Sequence, residues 1–161
     1  MIPESPELLS AWVQALAAVV QALFVVPATI IALVTLRRSS QAARRAATLD
    51  VLLRQEMDPA WKAARYSFAR QRDAGAFDSA AKVHALPPEM QELVITRLEF
   101  YEILATMTEG GAADEAILRH YYGDALQRDV TALRHFIERM RKTSGSSIYE
   151  TVERLAARWR R

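Results

Sequence analysis

The stretch that decides the fold is QALAAVVQALFVVPATIIALVTLRR, residues 14–38, which overlaps a longer run without charge. From Leu8 to Leu36 there is no Asp, Glu, Lys or Arg, a run of 29 residues in a chain of 161. A helix of that length extends roughly 43 Å, which exceeds the hydrocarbon thickness of a bilayer, about 30 Å. A buried helix of a soluble protein would be shorter and would carry charged positions. The run therefore predicts a transmembrane helix at residues 8–36.

The charges that flank this helix predict its orientation. Two acids, Glu4 and Glu7, precede the run, and basic residues follow it. The four arginines expected to contact lipid headgroups are Arg37, Arg38, Arg44 and Arg45. The flank of a membrane helix that lies in the cytoplasm usually carries the excess of basic residues. Residues 1–7 are therefore predicted outside, the helix in the inner (cytoplasmic) membrane, and the chain after the helix in the cytoplasm. A cleaved signal peptide needs a basic start and a shorter apolar region, so a retained anchor is favoured.

Small and polar residues share one side of the predicted span. Gln14 and Gln21 are seven positions apart and fall about 20° from one another on a helix. The residues of this polar stripe, all within roughly 60° of Gln14, are Ser10, Gln14, Ala18, Gln21, Ala28, Ala32 and Thr35. Bulky side chains such as Trp12 and Leu23 lie opposite. Small residues allow close helix approach and amides can bond between helices, so the stripe predicts self-association. A water-filled pore would favour the same pattern.

The chain after the span is predicted to be entirely helical. Residues 37–57 continue the span as a juxtamembrane helix with Ala47, Val51, Leu52 and Met57 on one side, and residues 58–161 form a compact cytoplasmic bundle. Asp58 and Pro59 supply the cap and the first position of the next helix. The fold class is therefore all-α, with one N-terminal transmembrane helix and a helical bundle.

Several boundaries inside the bundle follow from glycines and caps. The longest soluble helix is predicted to end at Gly110 and Gly111. A brief helix over residues 114–122 is predicted to close at Gly123. Asp124 would then cap a longer helix over residues 125–142. A turn at residues 143–147 precedes the final helix.

The chemistry-bearing residues give few candidates for catalysis. Arg128 and His135 have six residues between them, a spacing found in helical ribonuclease domains, although a chain this rich in arginine contains such a pair by chance. Glu99 and Glu102, with Arg97 nearby, predict a surface ion-pair network. The three histidines lack metal-binding spacing, and the sequence has no cysteine and no phosphate loop. We therefore expect no metal, no cofactor and no enzymatic activity.

Nucleic acid is not an expected partner. The net charge is only +2, so the chain has no strong global field that attracts phosphates. In WKAARYSFARQR, residues 61–72, aromatics alternate with basic residues, which could clamp single strands. However, Trp61, Ala64 and Phe68 also form a packing stripe on a helix, which favours a role in the core.

Short motifs along the chain resemble those of a known group. They are ATLD (47–50), RLEFYEILA (97–105), DEAILRHYYGDAL (114–126), FIERMR (136–141) and YETVERLAARW (149–159). Together with the single span, they resemble a bacterial and phage family of small membrane-anchored helical proteins that is known only as a domain of unknown function. In that family, Leu-Asn tends to precede a motif of two aromatic residues and a glutamate. In this chain, Leu98 and Glu99 occupy those two positions, so a glutamate stands where the family tends to have asparagine. The plan is also similar to the accessory membrane protein of type VI-B CRISPR systems, which forms a multimeric pore and carries a divergent relative of a helical ribonuclease domain.

The resemblance implies a ring-forming antiviral or stress effector. The residues themselves are compatible with three hypotheses about function. The first is a self-associating membrane protein, which would form a homo-oligomer and, as a multimer, a pore. The second is a membrane-tethered module that recruits a cytoplasmic protein without conduction. The third is a membrane-anchored ribonuclease that uses Arg128 and His135. The first is the principal expectation, with membrane lipid and copies of the chain as partners.

Overall fold

A computed structural model describes residues 6–144 and 147–160. Seven helices follow one another, and no strand occurs in these two ranges. Their bounds are α1 Pro6–Met57, α2 Pro59–Asp73, α3 Ala80–His84, α4 Pro88–Glu109, α5 Glu115–Ala132, α6 Arg134–Ser144 and α7 Glu150–Trp159. The chain divides into two compact units, Met1–Ala43 and Arg44–Arg161. The all-helical prediction is confirmed.

The first unit contains the apolar part of α1. The helical segment Ser10–Met57, which begins in this unit, is long and apolar enough to cross a membrane, and the mean hydropathy of its most apolar window is 2.4. None of that window is buried within the chain. Pro27 lies inside the helix and has no backbone N–H, so it cannot bond the carbonyl of Leu23. Helix continues through this position.

Capping residues place the helix starts of the second unit. Asp58 accepts from the backbone N–H groups of Ala60 and Trp61, and Pro59 occupies the first position of α2, as predicted. Asp114 caps α5 in the same way. At the end of α4, Gly111 has a φ of +64°, a left-handed conformation that favours glycine. The predicted stop at Gly110 and Gly111 is therefore confirmed.

One predicted helix boundary is wrong. Gly123 does not close a helix, and Asp124 does not cap one, because α5 continues through both residues to Ala132. The break comes at Leu133, whose N–H bonds the carbonyl of Asp129 at 2.8 Å, and α6 begins with the next residue. A glycine inside a helix costs about 1 kcal/mol. Burial of Tyr122 and Leu126 on the two sides of Gly123 offsets that cost.

The core of the second unit lies around α4. Its buried side includes Leu98, Tyr101 and Leu104, none of which is exposed. Helices α2, α5 and α7 pack on α4, while α6 packs on α3 and α5. The rings of Trp61 and Phe100 meet edge to face with centroids 4.8 Å apart. The packing stripe predicted on α2 is confirmed, because Phe68 is buried and Trp61 packs against the core.

The last turns of α1, residues 44–57, belong to the second unit. Thr48 and Leu52 are buried, and the Thr48 hydroxyl accepts from the Asp114 N–H at 2.8 Å. The apolar side predicted for this segment is only partly correct. Val51 is half-buried and Ala47 is exposed, while Met57 is 80% exposed. A buried threonine that caps another helix is not detectable from apolar spacing alone.

Candidate functional site

A buried carboxylate at the centre of the second unit is the strongest candidate for a functional site. Asp129, on α5, is fully buried and accepts three hydrogen bonds from two other helices. Its Oδ1 accepts from Arg72 Nη1 of α2 at 2.5 Å. Its Oδ2 accepts from Arg97 Nε at 3.0 Å and from Tyr101 Oη at 2.6 Å, both on α4. One carboxylate thus joins α2, α4 and α5 through charge-assisted bonds, which are stronger than neutral ones.

The protonation states at this centre follow from burial and charge. Burial raises the pKa of Tyr101 well above its usual value, and the adjacent Asp129 carboxylate opposes ionisation further. Tyr101 therefore stays neutral, and its hydroxyl donates a hydrogen bond to Asp129. Burial alone would lower the pKa of Arg72, but its bonds to Asp73 and Asp129 outweigh burial and raise it. Arg72 consequently keeps its charge at any physiological pH.

Arg97 has an unusual environment for a charged residue. Its side chain is only 6% exposed, and its guanidinium carbon lies 4.7 Å from the ring centroid of Tyr101 and 5.9 Å from those of Phe68 and Phe100. These faces attract a cation and partly replace its hydration. However, Arg97 Nη1 is buried and has no hydrogen-bond partner among the residues that the structure describes. A buried donor of this kind is rare and needs an explanation.

A pocket of about 230 Å³ lies beside this centre. We name it the arginine pocket; its charged lining residues are Arg65, Arg72, Arg97, Arg128 and Asp129. Its aromatic lining residues are Tyr66, Phe68, Tyr121 and Tyr122. The pocket therefore combines four guanidinium groups with several ring surfaces, a composition suited to an anion that carries a planar group.

The rim of the arginine pocket is connected to the end of α1. Arg65 Nη1 donates to Glu56 Oε1 at 2.8 Å, and Tyr121 Oη donates to the same oxygen at 2.5 Å. The Tyr121 bond, together with Arg65, lowers the pKa of Glu56, and these effects outweigh burial, which would raise it. Tyr122 Oη donates to Gln55 Oε1. The same side chains thus line the pocket and hold the last turn of α1.

A wider groove of about 750 Å³ adjoins the junction of α5 and α6, and we name it the α5–α6 groove. Both residues of the predicted ribonuclease pair, Arg128 and His135, line it, together with Arg72 and Arg134. Arg128 is exposed and His135 is half-buried. His135 Nδ1 lies 3.5 Å from Glu138 Oε2 on the same helix. The structure therefore brings the two residues to one groove, with the helix break at Leu133 between them.

The predicted membrane residues lie as follows. Every residue of the polar stripe, Ser10, Gln14, Ala18, Gln21, Ala28, Ala32 and Thr35, is exposed within the chain. The hydroxyl groups of Thr29 and Thr35 donate to the carbonyls of Val25 and Ile31, each at 2.8 Å. Val25 falls about 20° from Gln14 on the helix, so one bulky side chain interrupts the stripe.

The four predicted headgroup arginines are not equivalent. Arg37 and Arg38 are exposed. Arg45 pairs with Asp114 at 3.0 Å and remains 66% exposed. The Arg44 guanidinium lies close to Gly111, where an added Cβ would stand 3.7 Å from it. Contact with headgroups stays a prediction for all four, and Arg45 has a protein partner as well.

The predicted surface ion-pair network on α4 is wrong. Arg97 is buried and pairs with Asp129, on a different helix, rather than with its neighbours in sequence. Glu99 is exposed, and Glu102 accepts from the Thr151 hydroxyl at 3.3 Å. The sequence does contain a signal for the buried centre: Arg97 precedes Tyr101 by one helical turn on the apolar side of α4. A charged residue on such a side needs a buried partner.

The comparison with protein families covers nearly the whole chain. The family described as Domain of unknown function (DUF4760) matches residues 14–159. The chain belongs to this family. The match begins inside the apolar part of α1 and ends at Trp159, so the family domain includes most of that apolar segment as well as the helices that follow. No curated protein and no solved structure matches the chain.

The family gives no assigned chemistry, so the candidate site rests on geometry. Among residues 6–144 and 147–160, no group of three or more His, Asp or Glu side chains is placed to hold a metal ion. The charged groups that the fold does bring together are arginines around Asp129. Sequence reasoning missed this centre because its members come from three helices and have no common local motif.

Proposed function

We propose that this protein is a single-pass membrane protein that associates with copies of itself through the polar stripe of α1. The observation that carries the proposal is the exposure of the two amides. Gln14 and Gln21 are exposed within the chain, and neither amide has a hydrogen bond to any residue that the structure describes. An amide in hydrocarbon without a partner costs several kcal/mol, roughly 4–8 on a cyclohexane scale.

The two threonine hydroxyls of the span do not need an external partner. The hydroxyls of Thr29 and Thr35 are already bonded to carbonyls of α1 itself. Gln14 and Gln21 are thus the groups that gain most from a second copy of the helix. Neighbouring small residues such as Ala18 and Ala28 allow the close approach that such a contact requires.

The test is the mass of the full chain in detergent and in lipid nanodiscs. We expect an oligomer for the unmodified chain and weaker association for the double variant Gln14→Leu/Gln21→Leu. At about 1 kcal/mol per interhelical amide, the loss is roughly fivefold in affinity for each residue. Gln41→Leu, an exposed glutamine that follows the apolar run, makes the same chemical change and should leave the oligomer intact. A monomeric chain, or a double variant that assembles normally, contradicts the proposal.

Dye release from liposomes distinguishes a pore from a tether. Oligomers that release the dye form a pore, as expected for the antiviral or stress effector that the resemblance implies. Oligomers that release nothing favour the alternative, a membrane-tethered module that recruits a cytoplasmic protein. The polar stripe supports helix contact directly, and conduction is the further property that this assay measures.

A membrane-anchored ribonuclease is the second candidate, favoured by the position of Arg128 and His135 on the α5–α6 groove. Arg72 and Arg134 also line the groove and could hold a phosphodiester, while His135 could transfer a proton. Purified chain should then cleave RNA, and both Arg128→Ala and His135→Ala should abolish cleavage. Arg70→Ala, an exposed arginine of α2 that does not line the groove, serves as the control. Equal cleavage by all the proteins would exclude this function.

A further inference from the structure

The arginine pocket contains more positive charge than its own carboxylates neutralise. Its lining has four guanidinium groups and one carboxylate, Asp129. Two acids outside the lining pair with pocket arginines, since Glu56 bonds Arg65 and Asp73 bonds Arg72. Arg128 has no carboxylate within 4.0 Å in the part of the chain that is described. A positive charge therefore remains at the pocket after all internal pairs have been formed.

Arg97, one of the residues that line the pocket, has a buried hydrogen-bond donor without a partner among the described residues. Asp129 already accepts from three groups, so it offers little capacity for Arg97 Nη1. A core built only for stability would have matched one carboxylate with one guanidinium and filled the remaining space with apolar side chains. Here Arg97 bonds a carboxylate that also serves Arg72, which has Asp73 as a second partner, and an N–H of Arg97, a residue that lines the pocket, is buried without a partner within residues 6–144 and 147–160.

We propose that the arginine pocket binds a small phosphate monoester. Guanidinium groups match the geometry of phosphate oxygens, and several of them are needed to neutralise a doubly charged monoester. The ring surfaces of Phe68, Tyr121 and Tyr122 can accept a planar substituent on the phosphate. A volume of about 230 Å³ limits the ligand to the size of one small phosphorylated molecule or one lipid headgroup.

Binding in this pocket would also affect the end of α1. Arg65 lines the pocket and at the same time donates to Glu56, in the last turns of α1. A phosphate that bonds Arg65 competes with the Glu56 carboxylate for the same guanidinium. The ligand therefore weakens one of the side-chain bonds that hold residues 44–57 in the second unit. This competition is independent of whether α1 forms an oligomer.

The experiment is a titration of the full chain in nonionic detergent with inorganic phosphate and, separately, with adenosine 5′-monophosphate, followed by calorimetry. We expect saturable binding of one site per chain by at least one of the two probes. Because Arg128 is exposed and has no acidic partner among the residues described, Arg128→Gln should fold normally and lower the affinity by roughly tenfold. Arg70→Gln removes the same charge from an exposed position outside the pocket and should leave the affinity nearly unchanged.

A third arm distinguishes a soluble ligand from a lipid. The chain is placed in micelles that contain phosphatidic acid, a lipid with a phosphate monoester headgroup. Binding of this lipid alone, with the same dependence on Arg128, supports the site and identifies its ligand as a headgroup. The proposal is overturned if none of the three probes saturates. It is also overturned if Arg128→Gln and Arg70→Gln weaken binding equally, because the attraction would then be nonspecific.

Discussion

The replacement Asp129→Asn tests whether the buried centre holds the second unit together. The amide has nearly the same size as the carboxylate but lacks its charge. The variant leaves the buried Arg97 without its carboxylate partner, removes one of the two carboxylates that Arg72 bonds, and weakens the bond from Tyr101. Removing one partner of a buried ion pair costs about 3–5 kcal/mol, because the remaining charge stays buried without compensation.

This loss is large compared with the stability of a domain, which is typically about 5–15 kcal/mol. For a unit of this size it corresponds to a fall of roughly 10–20 °C in Tm. The measurement is thermal unfolding of the full chain in detergent, followed by near-ultraviolet circular dichroism. This signal reports on the packing of Trp61 and Trp159, both of which lie in the second unit.

The matched control is Asp124→Asn, on the same helix. Asp124 is exposed and forms no ion pair with any described residue, so the change should stay within about 0.5 kcal/mol. Tyr101→Phe removes one of the three donors and should give an intermediate loss of about 1.5–3 kcal/mol. If the Tm of the Asp129→Asn variant lies within a few degrees of that of the unmodified chain, the Asp129 carboxylate does not stabilise the second unit as proposed.

Three further outcomes are expected. Gly123→Ala should stabilise the second unit by about 0.5–1 kcal/mol, because the glycine is inside α5 and an added Cβ meets its nearest neighbour at 3.6 Å. The measurement is the midpoint of denaturant unfolding, and an unchanged midpoint would argue against a continuous α5. Gly111→Ala should destabilise it by roughly 1 kcal/mol in the same assay, because φ is +64°. Tyr121 lowers the pKa of Glu56, and Arg45 lowers that of Asp114. Both carboxylates therefore stabilise the fold fully above their usual pKa values, about 4.3 for Glu and 3.9 for Asp. This stabilisation is lost as the pH falls through the lower pKa values of the folded state. The hydrogen-exchange protection factors of residues 44–57, which compare the observed rate with the intrinsic rate at the same pH, should fall in acid, and Glu56→Gln should reduce that pH dependence; protection factors that are the same at pH 5 and pH 3 would contradict it.

Local signals predicted much of the helix order correctly. The cap at Asp58, the proline after it and the glycines after α4 act through bonds and dihedral angles within a few residues, so the sequence alone is sufficient to place them. The prediction failed at Gly123, because the burial of neighbouring side chains against α4 and α7 outweighs the poor helix propensity of one glycine.

By itself, the sequence determined that this protein has one long uncharged helix followed by an all-helical unit, because hydropathy and helical periodicity are properties of consecutive residues. Only the tertiary structure decided the role of the charged residues. The position of Arg97 on the apolar side of α4 suggests burial, but its partner is identified only when folding brings Asp129, 32 positions later, within 3.0 Å of it. Electrostatic pairing depends on distance in space, and the folding of α2, α4 and α5 around one carboxylate sets that distance.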